Sequence, residues 1–287
     1  MLQKIRYFFE FLIITFLFSI FKVLGIKISS YIGGKIGNII GPLFRSKKLI
    51  KSNIANAMPN ISENEVEKII KKMWNNYGRI LSEYIFIKKF RNTNLEENLL
   101  VEGSEVLEAI KQDQKPVIFI SGHFDNFELM AMHIEKSGIK LSAIYRPLNN
   151  LFINKIMEKI RKNYICKNQI KKGAAGIREL LTMFKNGNSI ALMIDQRVSE
   201  GIESNFFGQK ALTTTIPAQF VKRFNCRVVP IYIERISGIK FKIKINSPIE
   251  FSQEKSIENI TDELNSYLEK MILQKPDQWI WTHNRWK

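Results

Sequence analysis

Between residues 115 and 274, short apolar runs alternate with stretches of helical period. Val117 to Ile120 is β-branched and short enough to be a buried strand, and Ser121-Gly122 closes it. A helical pattern then begins at Asp125 or Asn126, with Leu129, Met130, Ala131, Met132 and Ile134 as its apolar positions. Further strands are predicted at Lys140 to Ile144 and Ser189 to Ile194. Helices over roughly Leu151 to Asn163 and Gly173 to Lys185 lie between them, and Asn186-Gly187-Asn188 marks a turn. Pro217 opens a helix that runs to Phe224. Arg227 to Glu234 and Lys240 to Asn246 form a hairpin about Ser237-Gly238, and a last helix covers about Ser256 to Gln274. Val198 to Thr215 follows neither period and is read as a long loop, a kind that tends to carry function. Strands alternating with helices predict an α/β fold, a single mixed sheet flanked by helices.

The N-terminal part is patterned differently. Phe11 to Phe21 has no charge, and Tyr7 to Phe9 and Val23 to Ile26 lengthen the apolar stretch across Glu10 and Lys22. A spanning helix wants about 20 apolar residues. The segment is therefore a short signal anchor, or an interfacial helix with Lys22 and Lys27 snorkelling, against a buried core helix as the plainer alternative. Lys35, Arg45, Lys47, Lys48 and Lys51 follow it and outnumber Lys4 and Arg6, which keeps the body of the protein cytoplasmic by the positive-inside bias. Gly33, Gly37 and Gly41 would form one stripe of a helix ended by Pro42, open to close approach by another backbone. Lys48 to Phe90 is helical with a break at Met58-Pro59-Asn60, and Ser62-x-x-Glu65 is a capping box. Lys68, Lys71 and Lys72 read as a solvated face. The expected organisation is a membrane anchor over 1–27, a helical membrane-proximal layer over 28–98 and an α/β core over 99–287, with 28–287 as one domain.

Charge adds a constraint on partners. Lys+Arg 44 against Asp+Glu 27 gives +17 over 287 residues, so an anionic partner is expected: nucleic acid, anionic lipid headgroups or an acidic carrier protein. No nucleic-acid motif is present, and aromatics do not alternate with basic residues along a strand, which argues against the first. Cys166 and Cys226 stand far apart, without a C-x-x-C, as in a reduced cytosolic protein. G-x-S-x-G, G-x-G-x-x-G, Walker A and H-E-x-x-H motifs are missing, and with His 3 in the whole chain no metal site is expected.

The candidate chemistry lies at predicted strand ends, where open α/β sheets bind ligands. His123 follows the first strand and Glu128 falls in the first turn of the next helix. On one helix these two would point about 140° apart. A strand-turn-helix corner can bring them together, the carboxylate holding one ring nitrogen while the other takes a proton. The alternative is structural: Asp125-x-x-Glu128 has the form of a capping box, with Phe124 and Leu129 as its staple. Arg146 and the Asp195-Gln196 pair also project from strand ends. The C-terminal PDQWIWTHNRWK, Pro276 to Lys287, suits either a headgroup-level contact or docking on the core.

GHFDNFE at Gly122 to Glu128, YRPLNN at Tyr145 to Asn150, Asp195-Gln196, FFG at Phe206 to Gly208, the stretch Asn53 to Pro59 and the C-terminal PDQWIWTHNRWK together resemble the bacterial lipid A biosynthesis acyltransferases, within the glycerolipid acyltransferase superfamily. The usual superfamily motif is His-x4-Asp, and here the acid is Glu128. The resemblance covers nearly the whole chain and implies an acyltransferase-like fold. It also implies transfer from acyl carrier protein to a hydroxyl of an anionic glycolipid, the lipid A precursor, at the cytoplasmic face of the inner membrane. His123 would be the general base supported by Glu128. Asp125, Asn126, Arg146, Arg161, Asp195 and Gln196 would contact substrate, and the amides of Asn126 to Glu128 are candidates for an oxyanion site. No metal or bound cofactor is implied. A relative acting on another glycolipid or aminolipid, or a basic membrane-associated binding protein without catalysis, are the alternative readings.

Overall fold

The apolar N-terminal run folds as one long helix, α1 (Leu2–Ile40), in a computed structural model that describes residues 2–287. Gly25 interrupts it at φ 77° and ψ 164°, a backbone region open essentially to glycine alone. Ile13, Phe16 and Val23 are exposed on the arm before the kink. It is the one helix among the described residues long and apolar enough to cross a membrane. After the kink the helix packs on the body of the protein, and Ser29, Ser30, Gly33 and Gly34 are buried.

Two helices follow, α2 (Lys47–Ala57) and α3 (Glu63–Glu83), the second started by the Ser62/Glu65 capping box that the sequence predicts. The glycine stripe of α1 lies against α3. A Cβ added at Gly37 would stand 2.2 Å from the Trp74 carbonyl oxygen, and one at Gly78 would stand 1.9 Å from that of Gly33. Backbone against backbone leaves nothing flexible to yield. Gly78→Ala is therefore expected to lower stability by about 3 kcal/mol, the upper end of overpacking costs. A variant that melts with the wild type would mean the two helices part without cost.

After the short α4 (Ile87–Asn92), strands and helices alternate: β1 (Leu99–Glu102), α5 (Ser104–Asp113), β2 (Ile118–Ser121), α6 (Glu128–Lys136), β3 (Leu141–Tyr145), α7 (Leu151–Ile160), β4 (Asn168–Lys171), α8 (Ala174–Lys185) and β5 (Ser189–Met193). The hairpin β6 (Ile202–Phe206) and β7 (Gln209–Thr213) comes next, then α9 (Ile216–Phe224), β8 (Val228–Ser237), β9 (Lys240–Ile245) and α10 (Ile257–Gln274). One seven-stranded sheet has the order β1-β9-β8-β2-β5-β3-β4. Its pairs are parallel except β8 with β9, so it is the mixed α/β sheet expected. The central strand β2 is buried at every position, because helices cover both faces.

The predicted loop Val198 to Thr215 is corrected. Its middle is the β6–β7 hairpin, closed by Phe207 and Gly208 at φ 52° and 73°, the positive pair of a type I′ turn. Alternation was hidden because one buried position is Ser204, which hydrogen-bonds Asp262 on α10 instead of contributing an apolar side chain.

Candidate active site

The register of two neighbouring strands builds the centre of the site. β2 and β5 run parallel with Ser121 opposite Met193, so the residues two places on, His123 and Asp195, leave the sheet side by side. The His123 backbone N–H donates to Asp195 Oδ2 at 2.8 Å, and His123 Nδ1 lies 2.8 Å from Oδ1. Trp279, from the C-terminal segment, adds an Nε1–H bond of 2.9 Å to Oδ2. Burial works against the charge of Asp195, but the charge and hydrogen bonds of His123 outweigh it and hold the carboxyl below its usual range. Burial likewise works against protonation of His123. The charge and hydrogen bond of Asp195, with the charge of Glu128, reverse that and raise the ring above its ordinary value. With Nδ1–H donated to Asp195, Nε2 is the nitrogen left to take a proton.

The ring nitrogen expected to pair with Glu128 is thus held by Asp195. Glu128 Oε1 instead accepts from Arg161 Nε at 2.7 Å and Nη2 at 2.6 Å, with the Tyr84 hydroxyl at 3.4 Å. Arg161 opens a π-helical turn, Arg161–Ile165, that continues α7. A buried carboxylate is costly without a cation, and Arg161 supplies it. The capping-box alternative is corrected as well. α6 begins at Glu128 with Phe127 as its cap and no side-chain cap bond. Asp125 takes φ 37° and turns inward, accepting from Arg235 Nη2 at 2.9 Å and from the Asn126 N–H at 2.7 Å. That last bond removes the Asn126 amide from the oxyanion candidates.

The other residues expected at the site divide. Asn126 is buried, with Nδ2 3.2 Å from Glu83 Oε2. Gln196 is half-buried and Arg146 exposed; neither side chain has a hydrogen bond or ion pair among the described residues. A cleft of about 60 Å³ opens beside His123, lined by Met73, Tyr77, Phe127 and Trp279 among others. No group of three or more His, Cys, Asp or Glu among the described residues could hold a metal ion.

Sequence reasoning missed a buried ion network beneath this corner. Arg235, at the end of β8, donates to Glu83 Oε1 at 2.6 Å, to Glu83 Oε2 at 3.0 Å and to Asn76 Oδ1 at 3.2 Å, besides Asp125. Ser30 of α1 donates to Glu83 Oε1 at 2.6 Å, tying the N-terminal helix to it. The signal was there: an arginine ending a long apolar strand, and a glutamate ending an amphipathic helix. Trp279 and Trp281 are buried, so the C-terminal segment docks on the core.

Comparison with known proteins bears on what this corner is for. The lipid A lauroyltransferase of Escherichia coli K12 is 23% identical over 253 residues, 85% of this chain and 79% of its own length. The palmitoleoyltransferase of the same organism is 22% identical over 268 residues, covering 90% of this chain and 84% of its own. The myristoyltransferase is 21% identical over 253 residues, covering 86% and 76%. A family model described as bacterial lipid A biosynthesis acyltransferase matches residues 1–287, the whole of the sequence. The chain belongs to the bacterial lipid A biosynthesis acyltransferases.

Proposed function

We propose that this acyltransferase moves a fatty acyl chain from an acyl carrier protein thioester to a hydroxyl of a lipid A precursor, with His123 as general base and Asp195 as its positioning partner. The observation that carries the reading is the His123–Asp195 pair, bonded twice at 2.8 Å, beside a small cleft at the end of the central strands. The relatives' names, lauroyl, myristoyl and palmitoleoyl transferases of lipid A biosynthesis, support the class of acceptor.

His123 Nε2 takes the hydroxyl proton as the acceptor oxygen attacks the thioester carbon. The oxygen–carbon bond forms, and the carbonyl electrons move onto its oxygen. When the carbonyl re-forms, the carbon–sulfur bond breaks, and the imidazolium returns its proton to the departing thiolate. Asp195 stabilises the imidazolium, and the charge of Glu128 adds to it. The amides at the start of α6, from Phe127 and Glu128, are the donors suited to the oxyanion. Arg146, exposed and unpaired, is suited to an anionic group of either substrate. The apolar side chains exposed on α1 support attachment to the inner membrane, with the catalytic body on the cytoplasmic side by the basic flank after it.

The test is an assay of the purified full chain with lauroyl-charged acyl carrier protein and a lipid A precursor. The product should gain the mass of one acyl chain, with one thiol released per turnover. Thiol release no faster than in the enzyme-free blank would overturn the reading.

A further inference from the structure

Before its kink, α1 has two apolar faces, and only one of them meets protein. Phe11, Ile14, Phe18 and Phe21 recur every three or four residues and so share a face, where each is half-buried or buried. Ile5, Phe9, Leu12, Phe16, Ile20 and Val23 recur in the same way on the opposite side, and all are exposed. No charged residue falls within that outer stripe. Lys4 and Lys22 stand about five turns apart, hence on one flank of it, exposed and without a carboxylate partner among the described residues. On the other flank Arg6 pairs with Glu10 at 3.0 Å.

The arm is held to the body at both ends. Past Gly25 the helix packs on α3, and about 21 Å back along the axis Phe11 packs, with Phe8, on Phe152 of α7. Asn150 Nδ2 donates to the Tyr7 carbonyl at 2.8 Å. A helix crossing the bilayer from Gly25 outward would take Tyr7 to Phe11 deep into a hydrocarbon core about 30 Å thick. Through those contacts it would draw in the loop before α7, with exposed Arg146 and Lys155. Charges and loop backbone facing lipid at that depth are costly. Lying flat removes the conflict: the outer stripe enters lipid, and Lys4 and Lys22 reach the headgroups from its flank.

We infer that the arm of α1 does not span but lies in the plane of one leaflet of an anionic bilayer, its outer stripe immersed and its N-terminus on the same side as the catalytic body. This rests on the membrane attachment read above and deepens it. Leu148 and Leu151, exposed beside the Phe152 contact, extend the apolar surface from the arm to the start of α7. Arg146, at the end of β3, therefore faces the leaflet. His123 leaves the same edge of the sheet at the end of β2, with only β5 between. A lipid acceptor in that leaflet can then present its headgroup to the strand ends without leaving the membrane.

The test places an environment-sensitive fluorophore on Phe9→Cys, Phe16→Cys or Val23→Cys of the full chain, reconstituted in phosphatidylethanolamine/phosphatidylglycerol vesicles. Wild type, with Cys166 buried and Cys226 half-buried, gives the background. The three positions lie about 10 Å apart along one stripe. In plane, all three sit at one depth, roughly 5–10 Å into the headgroup/acyl boundary. Each should then lose the same share of its fluorescence to lipids brominated near the headgroup and little to lipids brominated at the chain ends. In cells, Gln3→Cys should react with a membrane-impermeant maleimide in inverted membranes and not in intact spheroplasts. Strongest quenching of the Phe16→Cys label by chain-end bromines, or reaction of Gln3→Cys in spheroplasts, means that the arm spans and overturns the inference. Labels that no lipid quenches, on a chain that still floats with the vesicles, mean that protein such as a second copy covers the stripe; the inference falls and the attachment stands. A chain that does not float with the vesicles overturns both.

Discussion

Asp195→Asn is expected to slow turnover by between about 10² and 10⁴ while leaving the melting temperature close to wild type. The reasoning is geometric. Two donors, the His123 backbone N–H and Trp279 Nε1–H, converge on Oδ2 of Asp195. In the asparagine variant the amide oxygen stays with those donors, so the NH2 group faces His123 Nδ1. It donates there, which places the ring proton on Nε2 and removes the lone pair that has to accept the hydroxyl proton. His123→Ala should cost a similar factor, and the double variant little more than either single change, since the two act as one unit. An Asp195→Asn enzyme retaining a tenth of wild-type turnover would sink the dyad. Glu128→Gln tests a separate point. With His123 as the proposed base, its neutral form is the working one, so activity is expected to rise as pH passes the ring's pKa. Burial opposes protonation, Asp195 and Glu128 favour it, and Arg161 opposes it. Without the Glu128 charge, the acid limb of the kcat/KM profile should move to lower pH. A limb that stays in place would show that Glu128 matters only through Arg161.

Arg235→Ala is the change expected to cost most stability, about 3 to 5 kcal/mol, because it leaves Glu83 and Asp125 buried without their cation. Replacing the arginine is worse than never having had an ion pair, since both carboxylates stay in place. Asp125 shows the pressure already. Burial, with the nearby charge of Glu83, pushes it up to about 6 from an ordinary 3.8, although Arg235 pulls the other way. A carboxyl whose folded pKa lies above the unfolded one binds its proton more tightly in the fold, so this group contributes more stability as pH falls from 6 toward 4. Removing Arg235 raises that pKa further. The deficit of the variant should therefore be larger at pH 7 than at pH 5, measured by urea unfolding at both. A loss under about 1 kcal/mol at pH 7 would mean that water reaches the carboxylates once the guanidinium is gone.

The sequence carries both members of the dyad but not their pairing. His123 and Asp195 were each legible as polar residues past the end of a buried strand. What sequence does not state is that β5 lies beside β2, and without that neighbour relation the acid nearest along the chain, Glu128, is the natural partner to choose. Glu83 and Arg235 were harder still: they meet across 152 positions, and each alone reads as an ordinary charged residue at an element's end. Strand β4 escaped because only Ile170 of its residues is buried, as suits a sheet edge. β6 has apolar residues only at its two ends, and β1, though Leu-Leu-Val, is four residues long with Leu99 alone buried. The long strands, the capping box at Ser62 and the extended N-terminal helix were plain, since each declares itself within one window of sequence.

The glycine contacts between α1 and α3 have a consequence for length variation. An insertion of one residue between Gly25 and Gly33 would rotate the stripe about 100° away from α3 and shift it about 1.5 Å along the axis. That would set side chains against the Trp74 and Gly78 backbone and pull Ser30 off Glu83. On the other side of Gly25 the arm meets the body mainly through Tyr7 to Phe11, where Asn150 Nδ2 donates to the Tyr7 carbonyl and Phe8 and Phe11 pack on Phe152. Those contacts are few, and the kink separates them from the packed stripe. Gaps and extra residues in this helix are therefore tolerable ahead of position 25 and ruinous just after it.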